Sequence, residues 1–195
     1  MSDTLDAQYW EKRYVEETWG WDIGHASPAL TDYASLYPTD ARILIPGCGH
    51  AYEAEWLWKN GYKNITLIDV SETAKENFLN RIPDFPAEQF LVTDFFKHEG
   101  EYDLILEQTF YCALPPELRD QYVDQMKSLL THEGRLAGVL FTFPLTEKGP
   151  PFGGSQEEYE ERFGKQFDIV KLALCYNSIP PRAGNEVFFE VKKPD

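Results

Sequence analysis

Two short stretches of this chain constrain its fold more than any others. Residues 43–50 read ILIPGCGH, an apolar run followed at once by two glycines, and residues 67–69 read LID. The first stretch predicts a buried strand, a tight turn and the start of a helix, because glycine accepts backbone conformations that other residues rarely adopt. The second predicts another strand that ends in the carboxylate of Asp69.

This strand–turn–strand unit has the parts that hold an adenosine-containing cofactor. Gly47 and Gly49 let the backbone approach a ligand, and Asp69 follows roughly twenty residues later, where a carboxylate accepts hydrogen bonds from ribose hydroxyls. The third glycine of the dinucleotide-binding pattern is missing, and the turn carries no lysine. The pattern therefore disfavours a bound pyrophosphate and excludes a P-loop.

Strand and helix patterns alternate along most of the chain. The predicted strands are 42–45, 65–68, 89–92, 102–106, 135–143, 169–174 and 187–191. The predicted helices are 5–17, 31–37, 52–60, 71–81, 115–130 and 155–163, the last with a capping box from Ser155 and Glu158. The last two strands have no helix between them. We therefore expect an α/β fold with a Rossmann-like, mostly parallel seven-stranded sheet, helices on both faces and an antiparallel C-terminal edge strand.

Composition limits the classes of function. The 195 residues are 43% hydrophobic and 15% aromatic, which fits one globular domain over 1–195. The net charge of −15 would repel a nucleic-acid backbone, so a small-molecule partner is favoured. No apolar run approaches the roughly 18 residues of a membrane span, and the first residues lack the pattern of a signal peptide.

The spacing of the cysteines and histidines indicates reduced cysteine thiols and no metal site. The three cysteines are far apart without a CxxC pair, and the four histidines show no metal-ligand spacing. We expect free thiols, no metal site and a cytoplasmic location. The oligomeric state stays open, and a monomer is compatible with the sequence.

Aromatic residues are concentrated near the start of the chain. Trp10 and Tyr14 are one helical turn apart, and Trp19 and Trp21 follow directly. A buried core stripe is the simpler interpretation of such spacing. A loop this aromatic also predicts a lid, so we expect residues 1–38 to form a cap over the cofactor.

Three further residues follow predicted strands. Asp94 and Phe95 come after the third strand, where the carboxylate suits an exocyclic amine and the ring suits a purine face. The alternative interpretation of Asp94 is that its side chain caps a turn. Gln108 follows the fourth strand. Because parallel strands bind ligands at their carboxyl ends, we expect these side chains to converge on the glycine turn.

Short motifs over nearly the whole chain match one known family. They are Trp10-x-x-x-Tyr14, Trp21-Asp22-x-Gly24 with Pro28, IPGCG at 45–49, DVS at 69–71, TDFF at 93–96, FYCAL at 110–114, GPPF at 149–152 and IPPR at 179–182. By these motifs the chain resembles the class I S-adenosylmethionine-dependent methyltransferases. Within that class it is most similar to the thiopurine methyltransferase family and its plant halide/thiol methyltransferase branch.

The resemblance implies S-adenosylmethionine as the cofactor and assigns roles to the residues above. Trp10, Tyr14 and Trp21 would enclose the cofactor, Gly47 would approach its amino-acid end, Asp69 would bind the ribose, Asp94 and Phe95 the adenine, and Gln108 would lie near the sulfonium. The aromatic rings suit this cation, since each face attracts a cation by about 0.5–2 kcal/mol. Phe143 and Gln108 stand where halide-transferring relatives carry tyrosine, which disfavours halide transfer.

The implied reaction is in-line transfer of a methyl group to a small soft nucleophile: a thiol, a thiopurine-like heterocycle, thiocyanate or a halide. Such a nucleophile needs no strong general base. Tyr111, Arg182 and Phe143 are candidates for positioning the acceptor, with a surface-loop location as the alternative for Arg182. Two other interpretations stay open, a nicotinamide-dependent Rossmann oxidoreductase and a non-catalytic cofactor-binding module of the same fold.

Overall fold

The computed structural model describes residues 5–195, which form one seven-stranded sheet flanked by helices. The strands are β1 (Ile43–Pro46), β2 (Ile65–Asp69), β3 (Phe90–Val92), β4 (Tyr102–Gln108), β5 (Leu130–Phe141), β6 (Asp168–Leu174) and β7 (Glu186–Lys192). The α-helices are α1 (Ala7–Val15), α2 (Pro28–Ala34), α3 (Tyr52–Lys59), α4 (Glu72–Arg81), α5 (Arg119–Leu129) and α6 (Gln156–Phe163).

The strand order is β3-β2-β1-β4-β5-β7-β6. Strands β1 to β5 run parallel, and β7 pairs antiparallel with both β5 and β6. The expected Rossmann-like α/β fold with an antiparallel strand at its C-terminal end is confirmed. In detail, β7 lies one place inside the sheet and β6 forms the outer edge. This order buries the apolar side chains of β7, whereas most of β6 is exposed.

Helices cover both faces of the sheet, as the alternating pattern predicts. Ile43 and Ile45 of β1 point to the face covered by α3 and α4, where Phe78 is buried. Leu44 points to the opposite face, where Met126 of α5 is buried. Because β1 is apolar at every position, its side chains pack into the hydrophobic cores on both faces of the sheet.

Several element boundaries differ from the sequence predictions, most of all in β5, which spans Leu130–Phe141 and not residues 135–143. Helix α2 begins at Pro28, not at residue 31, because proline is favoured in a first helical turn. Helix α5 begins after a single 3-10 turn at Pro116–Leu118. Ser155 caps α6 by accepting the Glu158 N–H at 3.2 Å, but the Glu158 carboxylate binds Arg119 instead of completing a capping box.

Candidate active site

A cavity of about 770 Å³ lies at the carboxyl ends of the central parallel strands. Its volume is within the roughly 300–1,000 Å³ that is usual for small-molecule sites, and its location is the one at which open parallel sheets bind ligands. The predicted cofactor-binding residues that line it are Trp10, Tyr14, Trp21, Gly47, Gly49, Asp69, Asp94, Phe95 and Gln108. The structure therefore brings together every one of the predicted cofactor-binding positions.

The glycine turn between β1 and α3 requires glycine for both conformation and space. Gly47 and Gly49 have φ angles of +57° and +54°, in the left-handed region that favours glycine. A Cβ atom at Gly47 would lie 2.3 Å from Cδ2 of Phe110, and one at Gly49 would lie 2.8 Å from the Tyr14 hydroxyl oxygen. The turn thus packs directly against the β4 loop on one side and the N-terminal segment on the other.

Asp69, at the end of β2, holds this turn in place. Its Oδ2 accepts the Gly49 N–H at 2.9 Å, and its Oδ1 accepts the Val70 and Ser71 N–H groups at 2.8 and 3.1 Å. Burial raises the pKa of Asp69, and these N–H groups oppose that rise by stabilising the ionised form. A carboxylate can accept about four hydrogen bonds, so Asp69 retains capacity for a ligand hydroxyl.

Asp94 and Phe95 have structural roles at the cavity wall. The Asp94 Oδ1 accepts the Phe96 N–H at 3.0 Å and so caps a 3-10 turn, while its Oδ2 lies 3.5 Å from the Lys97 ammonium nitrogen. The Phe95 ring is buried against Phe110, with ring centroids 5.2 Å apart. The turn-capping alternative for Asp94 is therefore realised at a position that also faces the cavity.

Gln108, at the end of β4, carries an unmet acceptor. Its Oε1 atom is buried and has no hydrogen-bond partner in the described chain. An unsatisfied buried acceptor costs about 1–3 kcal/mol, which a hydrogen-bond donor of a ligand would recover.

The residues after Gln108 are held by the buried carboxylate of Glu107, which accepts hydrogen bonds from the N–H groups of Phe110 and Tyr111. Between them, Thr109 has a φ of +58°.

Aromatic rings from the N-terminal segment line the cavity. Trp21 meets both Trp10 and Tyr14 edge-on, with ring centroids 5.5 and 5.8 Å apart. Burial, with the nearby carboxylate of Asp69, raises the pKa of Tyr14 well above its ordinary value, so its hydroxyl stays protonated.

Two side chains fasten this segment to the domain. The Glu11 carboxylate accepts hydrogen bonds from the hydroxyls of Ser71 and Thr73, at 2.6 and 2.5 Å. On the other side, Arg182 donates from Nη2 to the Trp21 carbonyl oxygen at 2.8 Å. The segment is therefore anchored both at the start of α4, beside Asp69, and at the 3-10 turn that precedes β7.

The three candidate acceptor residues are placed differently from one another. Arg182 lines the cavity with a side chain that is only 12% exposed, so its alternative as a surface-loop arginine does not hold. Tyr111 lies outside the cavity lining, in the aromatic core, and donates from its hydroxyl to Glu158 at 3.0 Å. Phe143 is also outside the lining, while Phe141, whose ring centroid is 5.2 Å away, lines the cavity.

Sequence reasoning missed His50 and Arg13, which both line the cavity. The Nδ1 atom of His50 lies 3.4 Å from Oδ2 of Asp22, and its ring stands edge-on to Trp19 at 4.6 Å. Burial lowers the pKa of His50, although Asp22 opposes this effect. The signals were present in the sequence: His50 directly follows the glycine turn, and Arg13 shares a helix face with Trp10.

Comparisons with known proteins show the family of this chain. The thiopurine S-methyltransferase family model matches residues 5–188. The probable thiol methyltransferase 2 of Arabidopsis thaliana is 30% identical over 193 residues, covering 94% of this chain and 84% of the relative. Thiocyanate methyltransferase 1 of Arabidopsis thaliana is 30% identical over 204 residues, covering 99% and 88%.

A solved structure extends the likeness to the fold. The 1,6-didemethyltoxoflavin-N1-methyltransferase of Burkholderia thailandensis, with bound 1,6-didemethyltoxoflavin and S-adenosylhomocysteine, superposes with a TM-score of 0.79 at 17% identity, covering 98% of this chain and 88% of that one. The fold is thus that of the Rossmann-like methyltransferases. The chain belongs to the thiopurine S-methyltransferase family, and its cofactor is S-adenosylmethionine.

Residues 5–195 contain neither a membrane-spanning helix nor a cluster of metal-binding side chains. No helix there is long and apolar enough to cross a membrane. In that same part of the chain, no group of three or more His, Cys, Asp or Glu side chains is arranged to hold a metal ion.

Proposed function

We propose that the strand-end cavity binds S-adenosylmethionine under the aromatic cap and directs its methyl group to a small thiol acceptor. The cap is the described part of the N-terminal segment, residues 5–38. One cavity contains the Asp69 carboxylate, the unpaired buried oxygen of Gln108 and the rings of Trp10 and Trp21. This combination supports the proposal.

The residues present fit the groups of this cofactor. Asp69 would accept hydrogen bonds from the ribose hydroxyls, and Asp94 would accept one from the adenine amine. The Gln108 Oε1 would accept a hydrogen bond from the α-ammonium group. The rings of Trp10 and Trp21 would favour the positive sulfur by cation–π attraction.

When bound, S-adenosylmethionine supplies a methyl group attached to a positively charged sulfur, which an incoming electron pair can displace. The protein has to align the acceptor and exclude water. A thiolate is already a strong nucleophile, so no general base is required. We therefore assign no residue of the cavity as a catalytic base.

The acceptor end of the cavity is mainly apolar. Leu114, Leu118, Phe141, Pro151 and Arg182 line the cavity, and we infer that the acceptor would lie among them. The Arg182 guanidinium already donates to the Trp21 carbonyl oxygen and pairs with Glu186 at 3.4 Å. We infer that apolar contact, more than an ion pair, selects the acceptor, which favours an organic thiol over halide or thiocyanate.

The two cysteine thiols that line the cavity are not expected to compete with the acceptor. Cys48 and Cys112 line the cavity, and burial raises the pKa of both thiols well above the ordinary value. They therefore stay protonated at neutral pH and are poor nucleophiles.

Calorimetry followed by an activity panel tests the proposal. Purified protein should bind S-adenosylhomocysteine and not NADH, and binding of NADH alone would favour an oxidoreductase. Labelled methyl transfer should then be measured on organic thiols, a thiopurine, thiocyanate and iodide. Transfer should be fastest to an organic thiol. Tight cofactor binding with no transfer to any acceptor would favour a non-catalytic module.

A further inference from the structure

We propose that Arg13 binds the carboxylate at the amino-acid end of the methyl donor. This inference rests on the proposed function and adds a cofactor-specificity residue to it. Arg13 lies on α1, where Trp10, Arg13 and Tyr14 follow the spacing of one helix face, and all three side chains line the cavity.

The guanidinium of Arg13 has more donors than the protein satisfies. Arginine carries five N–H donors. In the described chain, one goes from Nη1 to the Tyr9 hydroxyl at 3.2 Å, and Nε is buried without any partner. The guanidinium carbon lies 5.3 Å from the centroid of the Trp21 ring, so the charge is held beside the cap.

Arg13 also differs from the other cations of the cavity wall. Arg182 pairs with Glu186, and the Lys97 ammonium nitrogen lies 3.5 Å from an Asp94 carboxylate oxygen. Within residues 5–195, no salt bridge to Arg13 is found. A positive charge that lines a partly enclosed cavity without a carboxylate partner favours an anionic ligand group.

The layout of the cavity indicates which anion this is. Asp69 is the last residue of β2, and Asp94 lies just beyond β3. Both would face the adenosine part of the cofactor. Arg13 stacks on Trp21, whose indole nitrogen lies 3.8 Å from the position of a Cβ on Gly49. Trp21 therefore connects Arg13 to the glycine turn, which would face the amino-acid end of the cofactor. The carboxylate is the anion of the cofactor, and its two oxygens match the planar fork of a guanidinium.

A pair of ligands separates carboxylate binding from every other role of Arg13. S-adenosylhomocysteine has the amino-acid end, whereas 5′-methylthioadenosine keeps the adenosine and the sulfur without it. Calorimetry on Arg13→Gln should give a Kd for S-adenosylhomocysteine raised on the order of 10- to 100-fold, with the Kd for 5′-methylthioadenosine unchanged. Lys12→Gln is the matched control, since it removes the same charge from an exposed neighbouring side chain and should change neither Kd.

Three results would overturn the inference. Equal loss of affinity for both ligands would make Arg13 a structural support of the cap. An unchanged Kd for S-adenosylhomocysteine with a raised KM for the acceptor would place Arg13 at the acceptor. If the unmodified protein bound neither ligand, the proposed function itself would fail, and that result is distinct because it needs no variant.

Discussion

Replacing Glu107 by glutamine should make the free energy of unfolding less sensitive to rising pH. Glu107 is completely buried at the end of β4. One carboxylate oxygen accepts the N–H groups of Phe110 and Tyr111, both at 2.9 Å, and the other accepts the Tyr122 hydroxyl at 2.7 Å. Burial raises the pKa of Glu107 to about 7, although these hydrogen bonds oppose the rise.

The sign of the effect follows from the raised pKa. The folded protein holds the proton of Glu107 more tightly than the unfolded chain, whose glutamate pKa is near 4.5. Stability from this group is therefore fully present below pH 4.5 and is lost as pH rises through about 7. A difference of about 2.5 in pKa corresponds to about 3 kcal/mol, as an order of magnitude.

Glutamine imitates the neutral carboxyl group. Its carbonyl oxygen can accept the Phe110 and Tyr111 N–H groups, and its amide nitrogen can donate to the Tyr122 oxygen. The stability difference between Glu107→Gln and the unmodified protein should therefore move by about 3 kcal/mol in favour of the variant between about pH 4 and pH 9. Urea unfolding followed by tryptophan fluorescence at a series of pH values measures it.

The exposed Glu88 offers a control for the loss of one negative charge, and Glu88→Gln should give no comparable change over the same pH series. A stability difference for Glu107→Gln that stays constant with pH would refute the reasoning. It would mean that the buried carboxylate ionises as easily in the folded protein as in the unfolded chain.

Two further substitutions test the turn and a buried ion pair. Gly49→Ala should destabilise the fold by about 1–2 kcal/mol and lower the affinity for S-adenosylhomocysteine in calorimetry, because its Cβ would strain the backbone and meet the Tyr14 hydroxyl. Gly184→Ala, at a φ of +84° with open space around it, should lose stability only. Arg119→Met should cost about 1–3 kcal/mol in urea unfolding, since it removes the hydrogen bonds of a buried guanidinium to Glu158 and to the Gly153 carbonyl oxygen, whereas Lys165→Met, at an exposed pair, should cost at most about 1 kcal/mol. Equal losses of affinity at both glycines, or equal costs at both cations, would contradict these expectations.

The central part of the fold was predictable because its signals are local. The glycine turn at Gly47 and Gly49 needs a conformation that few residues adopt, and the spacing to Asp69 follows from one helix between two strands. Strand ends of a parallel sheet share one edge, so Asp94 and Gln108 could be assigned to the same cavity from topology alone.

The contacts of the candidate acceptor residues were not predictable in the same way. Tyr111 begins a single 3-10 turn, which is too short for a periodic pattern to indicate the direction of a side chain, and its hydroxyl donates to Glu158, 47 residues away. Arg182 reaches the Trp21 carbonyl oxygen across 161 residues of sequence. Such partners are set by tertiary packing, which short motifs do not encode.

The positions of the charged side chains in the cavity indicate the kind of ligand better than the net charge of the chain does. A net charge of −15 favours a cationic ligand only in a general sense. In the cavity, Asp69 and Asp94 lie at the ends of neighbouring strands, and Arg13 lies on the helix that covers them. Glu11, on the same helix, is fixed to the residues that follow Asp69. The N-terminal segment is therefore fastened to the start of α4, directly after the strand that ends in Asp69.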